Sequence, residues 1–451
     1  MSNDVDVVVI GLGPGGESVA TKLAQAGLKV VGIDRRLVGG ECPYFGCIPS
    51  KMMVRAADLL AEGRRVPGVA GDSVITPAWT QVAQRISEEA TDGWDDTVAV
   101  DRLEKAGVTF VRGHARLTGD RTVEVDGTTY VAARGVVLNT GTEPAVPPVD
   151  GLADTPFWTN RDAVQVAELP GSMLVIGGGA IGAELSQAFS RFGVRVTLVE
   201  VADRILAPEE PEASRLVADV FAHEGIQVLA GARIGSVSYA DGRFSVAVDG
   251  RTLHADKLLV AAGRRTNLSD LGLDTVGLDP AARSLEVDDR MRAAEGLWAI
   301  GDITGEGAFT HMSMYQAGVA ARDLLGEEGP GGDYRAVPRV TFTDPEVGSV
   351  GITEQQARER GLDVRVGLTH VEDSTRGWIH KTGNAGIIKL VEDADRGVLV
   401  GATSAGPNGG EVLSMLTTAV HAEVPTATLR SMIYAYPTFH RAVEDALGKL
   451  G

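Results

Sequence analysis

One pattern, present twice, constrains this 451-residue chain more than any other feature. It first runs through the apolar segment Val5–Ile10, the turn Gly11-Leu12-Gly13-Pro14-Gly15-Gly16, a helical stretch to Ala26, a second apolar run Lys29–Ile33, and Asp34. It returns at Met173–Ile176, Gly177-Gly178-Gly179-Ala180-Ile181-Gly182, a helical stretch to Phe192, the run Val194–Val199, and Glu200. Eighteen residues separate the last motif glycine from the acid in both copies. Each copy reads as strand, tight turn, helix, strand and terminal carboxylate.

Every part of that unit has a physical reason. The first glycine (Gly11, Gly177) permits the tight turn. The second (Gly13, Gly179) lets backbone approach a pyrophosphate. The third (Gly16, Gly182) lets helix and strand pack closely, and the helix N-terminus favours the phosphate charge. The acids Asp34 and Glu200 can accept from a ribose 2′-hydroxyl. One such motif is a weak signal. Two in the same strand–helix context, each with its acid, point to two dinucleotide-binding units rather than to glycine turns that bind nothing.

Short strand patterns fill the space between and after these units, at Phe110–Leu117, Val123–Val125, Gly135–Thr140, Ile226–Leu229, Phe244–Val248 and Lys257–Ala262. The Gly- and Pro-rich stretch Gly326–Gly332 reads as a domain boundary. Beyond it, strands near Val337–Thr341 and Gly386–Glu392 and helices near Glu354–Arg360 and Gly410–Ala422 suggest an α+β domain. The expected class is α/β, with two Rossmann-like dinucleotide-binding domains followed by a C-terminal α+β domain. The expected division is 1–150, 151–268, 269–335 and 336–451.

Composition narrows the function. A net charge of −19 disfavours nucleic acid and anionic membrane surfaces as partners. No apolar stretch approaches the roughly 18–20 residues of a membrane span. The acidic opening MSNDVDVVVIGLGPGG enters a strand-like run at once, which argues against a signal peptide and for the cytoplasm. The two cysteines are too few for a secreted disulfide scaffold and make a poor zinc site, so no metal is expected.

Those cysteines lie in Gly39-Gly40-Glu41-Cys42-Pro43-Tyr44-Phe45-Gly46-Cys47-Ile48-Pro49-Ser50-Lys51. In a regular helix, residues five apart point about 140° apart and cannot be bridged without strain. A bridge here requires an irregular helix start, which Pro43, Gly46 and Pro49 supply. A thiolate at a helix N-terminus near a cation has a lowered pKa and is the better nucleophile. The alternative is a pair of small core hydrophobes.

With these residues in view, the chain resembles the flavoprotein disulfide reductases, the family of dihydrolipoamide dehydrogenase, glutathione reductase and mercuric reductase. The resemblance covers essentially the whole length. It rests on the first glycine motif, on GGxCxxxxCxPSK at Gly39–Lys51, and on Thr140-Gly141. It continues through GGGAIGAE at Gly177–Glu184, AAGRRTN at Ala261–Asn267, AIGD at Ala299–Asp302, DPEVGSVG at Asp344–Gly351 and GPNGGE at Gly406–Glu411. It implies that the first motif and Asp34 hold the ADP half of FAD and that Asp302 binds its ribitol. Gly40, Ala115, Thr140 and Gly141 would line the same cofactor, with His311 against the flavin. Cys47 would be the thiolate beside the flavin and Cys42 the outer interchange thiol of a redox-active disulfide. Lys51 would approach the flavin and pair with Glu184. The second motif would bind the nicotinamide cofactor, with Gly263 near its ring. The segment from about Ala336 would form the interface of a homodimer whose active site spans both subunits. Glu200 repels a 2′-phosphate, so NADH is favoured; Arg204 nearby keeps NADPH open.

The chain also departs from the family. Where relatives carry His-Pro-Thr-x-x-Glu near the C-terminus, this chain reads Tyr436-Pro437-Thr438-Phe439-His440-Arg441. Tyrosine stands for the acid–base histidine and arginine for the glutamate that orients it. General acid–base catalysis contributes roughly 10²–10⁴-fold, and a phenol with a pKa near 10 suits that relay poorly at neutral pH. Either Tyr436 or His440 takes over the relay, or the acceptor needs little of it. Mercuric reductase is similar in its tyrosine but uses a C-terminal cysteine pair, and this chain ends in Gly448-Lys449-Leu450-Gly451. Tyr44-Phe45 could shape an acceptor pocket or simply pack. Trp378 and His380 read as surface or packing residues.

Three functions compete. The first is an NADH-dependent reductase of a disulfide-type acceptor with an altered acid–base site. The second is a reductase of quinones or metal ions that uses the same flavin–dithiol core. The third is a redox sensor or complex subunit without turnover, which the presence of Cys42, Cys47, Lys51 and Glu184 together disfavours.

Overall fold

Val7, Val8 and Val9 are all fully buried in the strand Ser2–Ile10 of the computed structural model, which describes residues 2–451. A strand covered on both faces needs such a β-branched run. The chain divides into two units. The first takes in the chain up to Pro49, Gln84–Ala145 and Arg264–Tyr334; the second takes in Ser50–Ala83, Val146–Gly263 and Arg335–Gly451.

In the first unit the main sheet runs Arg292–Ala294, Leu297–Ala299, Thr128–Leu138, Ser2–Ile10, Val30–Asp34, Val108–Arg112. Ser2–Ile10 pairs in parallel with both of its neighbours. The helices Pro14–Gln25 and Thr310–Leu325 bury Val19, Leu23, Ala317 and Leu324 in one core with Val7 and Val9. The other face packs Val8, Ile10, Leu117, Val123 and Leu273 together. The expected strand Phe110–Leu117 is two strands, Val108–Arg112 and Ala115–Gly119. The first continues the parallel sheet, while the second turns away to pair antiparallel with Thr122–Val125. Gly113 lies at the break, where a side chain would collide with Val125 and Asp126.

In the second unit four parallel strands run Gln227–Leu229, Arg195–Val199, Ser172–Ile176, Lys257–Val260. The antiparallel strands Ile234–Ala240, Arg243–Val248 and Arg251–Ala255 follow, and Val237, Phe244 and Val246 share a core with Leu174, Ile176 and Leu258. The C-terminal part is a five-stranded antiparallel sheet, Pro338–Thr341, Glu346–Gly351, Val398–Gly406, Ile387–Asp393, Val364–His370. The helices Gly409–His421 and Ala442–Gly448 pack Leu413, Leu416, Val443 and Leu447 onto it, against Leu390 and Ala402. The strand Ile387–Asp393 is buried throughout, Lys389 included. Its ammonium lies 2.9 Å from Glu210, 3.0 Å from Glu212 and 2.9 Å from Glu354. Three carboxylates around one cation are what allow a lysine to be buried there. Among the described residues, no helix is long and apolar enough to cross a membrane.

Candidate active site and nucleotide cradles

Both glycine turns form cradles of the same build, one in each unit. Gly11 (φ +89°) presses against the backbone of Asn139 and Thr140, and Gly177 (φ +107°) against Ala261, so a side chain at either would strike a carbonyl. Gly16 and Gly182 lie as close to the carbonyls of Gly11 and Gly177. The middle glycines differ. A Cβ at Gly13 would come no nearer than 3.5 Å to any neighbour, and one at Gly179 would meet nothing within 4 Å. Each is the N-cap of its helix, Pro14–Gln25 or Ala180–Arg191, and brings no side chain to the first-turn N–H groups. The open middle glycine and uncapped N-terminus fit a phosphate at each cradle.

The two acids also behave alike. Asp34 accepts from the N–H groups of Leu12 and Arg36, both at 2.7 Å. Glu200 accepts from Gly178 at 2.5 Å and Ala202 at 2.7 Å. Each carboxylate clips its glycine turn to the end of the following strand. Burial raises the Asp34 pKa against the lowering effect of its two N–H donors. The guanidinium of Arg204 donates to the carbonyl of Ala207 at 2.7 Å.

Around the first cradle, Gly40 packs on Gly13, its Cβ position 3.0 Å from the Gly13 Cα. Asn139 donates to the Gly11 carbonyl, and Ser313 donates to Asn139. Thr140 and Asn267 exchange two hydrogen bonds of 3.0 Å, which fix the turn that carries Gly141. Ala115 is buried in the apolar core beneath. Asp302 accepts from the Thr142 hydroxyl at 2.6 Å, and Thr142 in turn accepts from Arg264 Nε at 2.6 Å. Exposed His311 stacks on Phe309. Thr142 and Arg264 were not singled out by sequence, because their pairing spans 122 residues.

The cysteine segment has the irregular helix start that a Cys42–Cys47 bridge would require. A four-residue helix, Glu41–Tyr44, ends at Phe45, and a new helix, Cys47–Arg65, begins after Gly46. Gly46 folds back so that its Cβ position is 3.6 Å from the Cys42 Cα. Cys42 is half-buried and Cys47 exposed, with Cys47 Sγ 3.4 Å from Thr310 Oγ1. Tyr44 is buried and Phe45 half-buried, their rings 6.4 Å apart.

In the second unit, Lys51 Nζ lies 2.6 Å from Glu184 Oε2 and 4.7 Å from the Phe342 ring centre. Glu184 is only 5 % exposed, and its other oxygen accepts from the Phe342 N–H at 2.9 Å. Gly263 (φ +114°) is exposed, with open space where a side chain would be.

The two candidate relay residues face different surroundings. Tyr436 is 66 % exposed, its hydroxyl 3.4 Å from Thr375 Oγ1 and its ring under the Arg441 guanidinium. His440 lines a cavity of about 570 Å³ with Asn408, Glu411, Met415, Met432 and Tyr434. Arg441 pairs with Glu444 at 2.7 Å.

Comparison with known proteins agrees with this geometry. Residues 5–321 match the family model of the pyridine nucleotide-disulphide oxidoreductases, and residues 337–447 match the dimerisation domain of that family. A mercuric reductase of Staphylococcus aureus is 30 % identical over 98 % of this chain and 82 % of its own length. A dihydrolipoyl dehydrogenase of Halobacterium salinarum is 34 % identical over 99 % of this chain and 96 % of its own. Among solved structures, the Cu(II) complex of the HOCl-induced flavoprotein disulfide reductase RclA from Escherichia coli matches with a TM-score of 0.86 and 26 % identity, covering 99 % of each chain.

Proposed function

Because the chain belongs to the pyridine nucleotide-disulphide oxidoreductases, we propose that it is an NADH-dependent flavoprotein that reduces a disulfide-type acceptor through Cys42 and Cys47. FAD and a pyridine nucleotide are expected of this family. When bound, FAD supplies two-electron acceptor and donor chemistry. The first cradle with Asp34, Gly40, Thr140, Gly141 and Asp302 would hold it, and the second cradle with Gly263 would hold the nicotinamide cofactor. Ala115 and His311 complete the assignment on the FAD side. Glu200 ends the second strand with its carboxylate, and Arg204 is engaged on the Ala207 carbonyl rather than left for a 2′-phosphate. Both features support NADH.

The observation that carries the proposal is the broken helix start. It folds Gly46 onto Cys42 and leaves Cys47 at the head of a long helix. There a pair of electrons and two protons would convert a Cys42–Cys47 disulfide to two thiols. The acceptor disulfide would take the same electrons and protons as the thiols reoxidise. Lys51, held by Glu184, would position its ammonium for the cofactor side. Proton transfer at the acceptor would fall to Tyr436 or His440, in a cytoplasmic homodimer whose site is completed across the interface formed by residues 336–451.

A second reading is a reductase of quinones or metal ions on the same core. Two things favour it: the exposed phenol of Tyr436 where an acid–base group is needed, and relatives named for mercuric ion or solved with Cu(II). Cys42→Ser separates the readings. Disulfide reduction with NADH should fall at least 10³-fold, consistent with loss of a nucleophile. If Cys42→Ser kept disulfide turnover, the proposal would fail. If it lost only disulfides while quinones or metal ions were reduced faster than any disulfide, the second reading would replace it.

A further inference from the structure

Asp302, Thr142, Arg264 and Glu41 form a continuous chain of polar contacts in the first unit, and its last member is bonded directly to Cys42 in the sequence. Thr142 donates to Asp302 at 2.6 Å. Arg264 grips Thr142 twice, through Nε to the hydroxyl at 2.6 Å and through the second guanidinium nitrogen to the carbonyl at 2.9 Å. The same nitrogen lies 3.5 Å from Glu41 Oε2. Both ends of this ion pair are mostly shielded, with 21 % and 27 % of their side chains exposed.

Glu41 opens the four-residue helix Glu41–Tyr44 and immediately precedes Cys42, so a charge left on it stands one residue from the interchange thiol. An uncompensated carboxylate next to a thiol raises the thiol pKa and suppresses the thiolate; a cation does the opposite. We infer that Arg264 is a positioning residue for Cys42: it neutralises Glu41 and anchors the cysteine loop to the Thr142–Asp302 pair. This inference rests on the assignment of Cys42 as the interchange thiol. It adds an intrachain control of Cys42 at a site where the usual histidine is replaced by Tyr436. The fork of Arg264 serves both tasks, since Nε and the terminal nitrogen hold Thr142 while the charge faces Glu41.

Other charges flank these elements: Asp96, Glu17, Arg102 and Asp95 act on Tyr44 at the far end of the short helix. Glu143, one residue from Thr142, pairs with Arg265 at 2.5 Å and with Arg36 at 3.6 Å. Asp302 is held by Thr142. His311 follows Thr310, the residue that touches Cys47. Lys51 lies on the helix of Cys47 and pairs with Glu184. Glu41 and Arg264 are the ion pair that adjoins Cys42 in the sequence.

The test is the pH profile of iodoacetamide alkylation at Cys42, read by peptide mass on the anaerobically reduced holoenzyme. Arg264→Gln should raise the apparent thiol pKa and slow alkylation at pH 7 about 3- to 10-fold. Glu41→Gln, which leaves Arg264 uncompensated, should speed it by a similar factor. The double variant should return to within about twofold of wild type, because neither charge remains. Arg264→Lys should keep the wild-type pKa yet loosen the loop. Equal profiles for wild type, Arg264→Gln and Glu41→Gln would overturn the inference. If Arg264→Gln does not retain FAD, Glu41→Gln decides alone: faster alkylation supports the inference, unchanged or slower alkylation overturns it. A failure of the Cys42–Cys47 redox assignment would show separately, as normal alkylation shifts in an enzyme whose disulfide turnover survives Cys42→Ser.

Discussion

Asp58 sits where several charges meet. Arg191, only 3 % exposed, lies 2.6 Å from Asp58, 2.6 Å from Glu224 and 2.7 Å from Asp344. Burial opposes the Arg191 charge, but Glu224 and Asp344 hold its pKa above the ordinary value. For Asp58 the balance runs the other way. Burial, reinforced by Asp344 and Glu346, outweighs Arg191 and pushes its carboxyl up to about 6. A carboxyl whose folded pKa is raised favours the fold while protonated. Its contribution is complete below about pH 4 and is lost as pH rises through about 6. Asp58→Asn keeps a hydrogen-bonding group without that titration. The melting temperature of Asp58→Asn relative to wild type should therefore climb between pH 4 and pH 7 and level off above. A difference that stays flat, or falls over the same range, would contradict the assignment.

At the scale of elements, the two cradles make matched predictions. A Cβ at Gly16 or Gly182 would overlap the carbonyl of Gly11 or Gly177 in its own unit. Relieving such an overlap costs about 1–3 kcal/mol or displaces the helix. Gly16→Val should be isolated with little FAD. Gly182→Val should keep its FAD and yet react slowly with NADH, with reduction slowed at least tenfold in a stopped-flow experiment. FAD loss in both, or in neither, would mean that the cradles are not divided in this way. These elements were legible in the sequence because their cause is local: glycines at fixed spacing, an apolar run before them and an acid after. The strand pattern at Phe110–Leu117 was misread because Gly113 breaks it for a tertiary reason, the approach of Val125 and Asp126. The pairings Thr142–Arg264 and Lys389–Glu210 were invisible for a related reason. Residues 122 and 179 positions apart in sequence carry no local signature of their contact. The irregular helix start at Cys42–Cys47 was legible, since a bridge between residues five apart excludes a regular helix and Pro43 and Gly46 show where it breaks.

For the whole molecule, the two glycine cradles, the Cys42–Cys47 segment and the dimerisation domain give a chain with electron entry, a thiol pair and a surface for assembly. The family match fixes the first of these functions at the level of NAD(P)H and flavin. On the proposed reading the acceptor is set by what meets Cys42, where the sequence leads one to expect Tyr436 and Arg441 in place of an acid–base histidine and its glutamate. The central claim is that electrons from NADH reach the Cys42–Cys47 pair. Anaerobic titration of the purified flavoprotein with NADH tests it most directly. The account predicts a long-wavelength absorption band after the first two electrons, with the main flavin absorbance largely retained, and loss of that band in Cys47→Ser. Full bleaching of the flavin by one equivalent of NADH, with no such band in the wild-type protein, would contradict it.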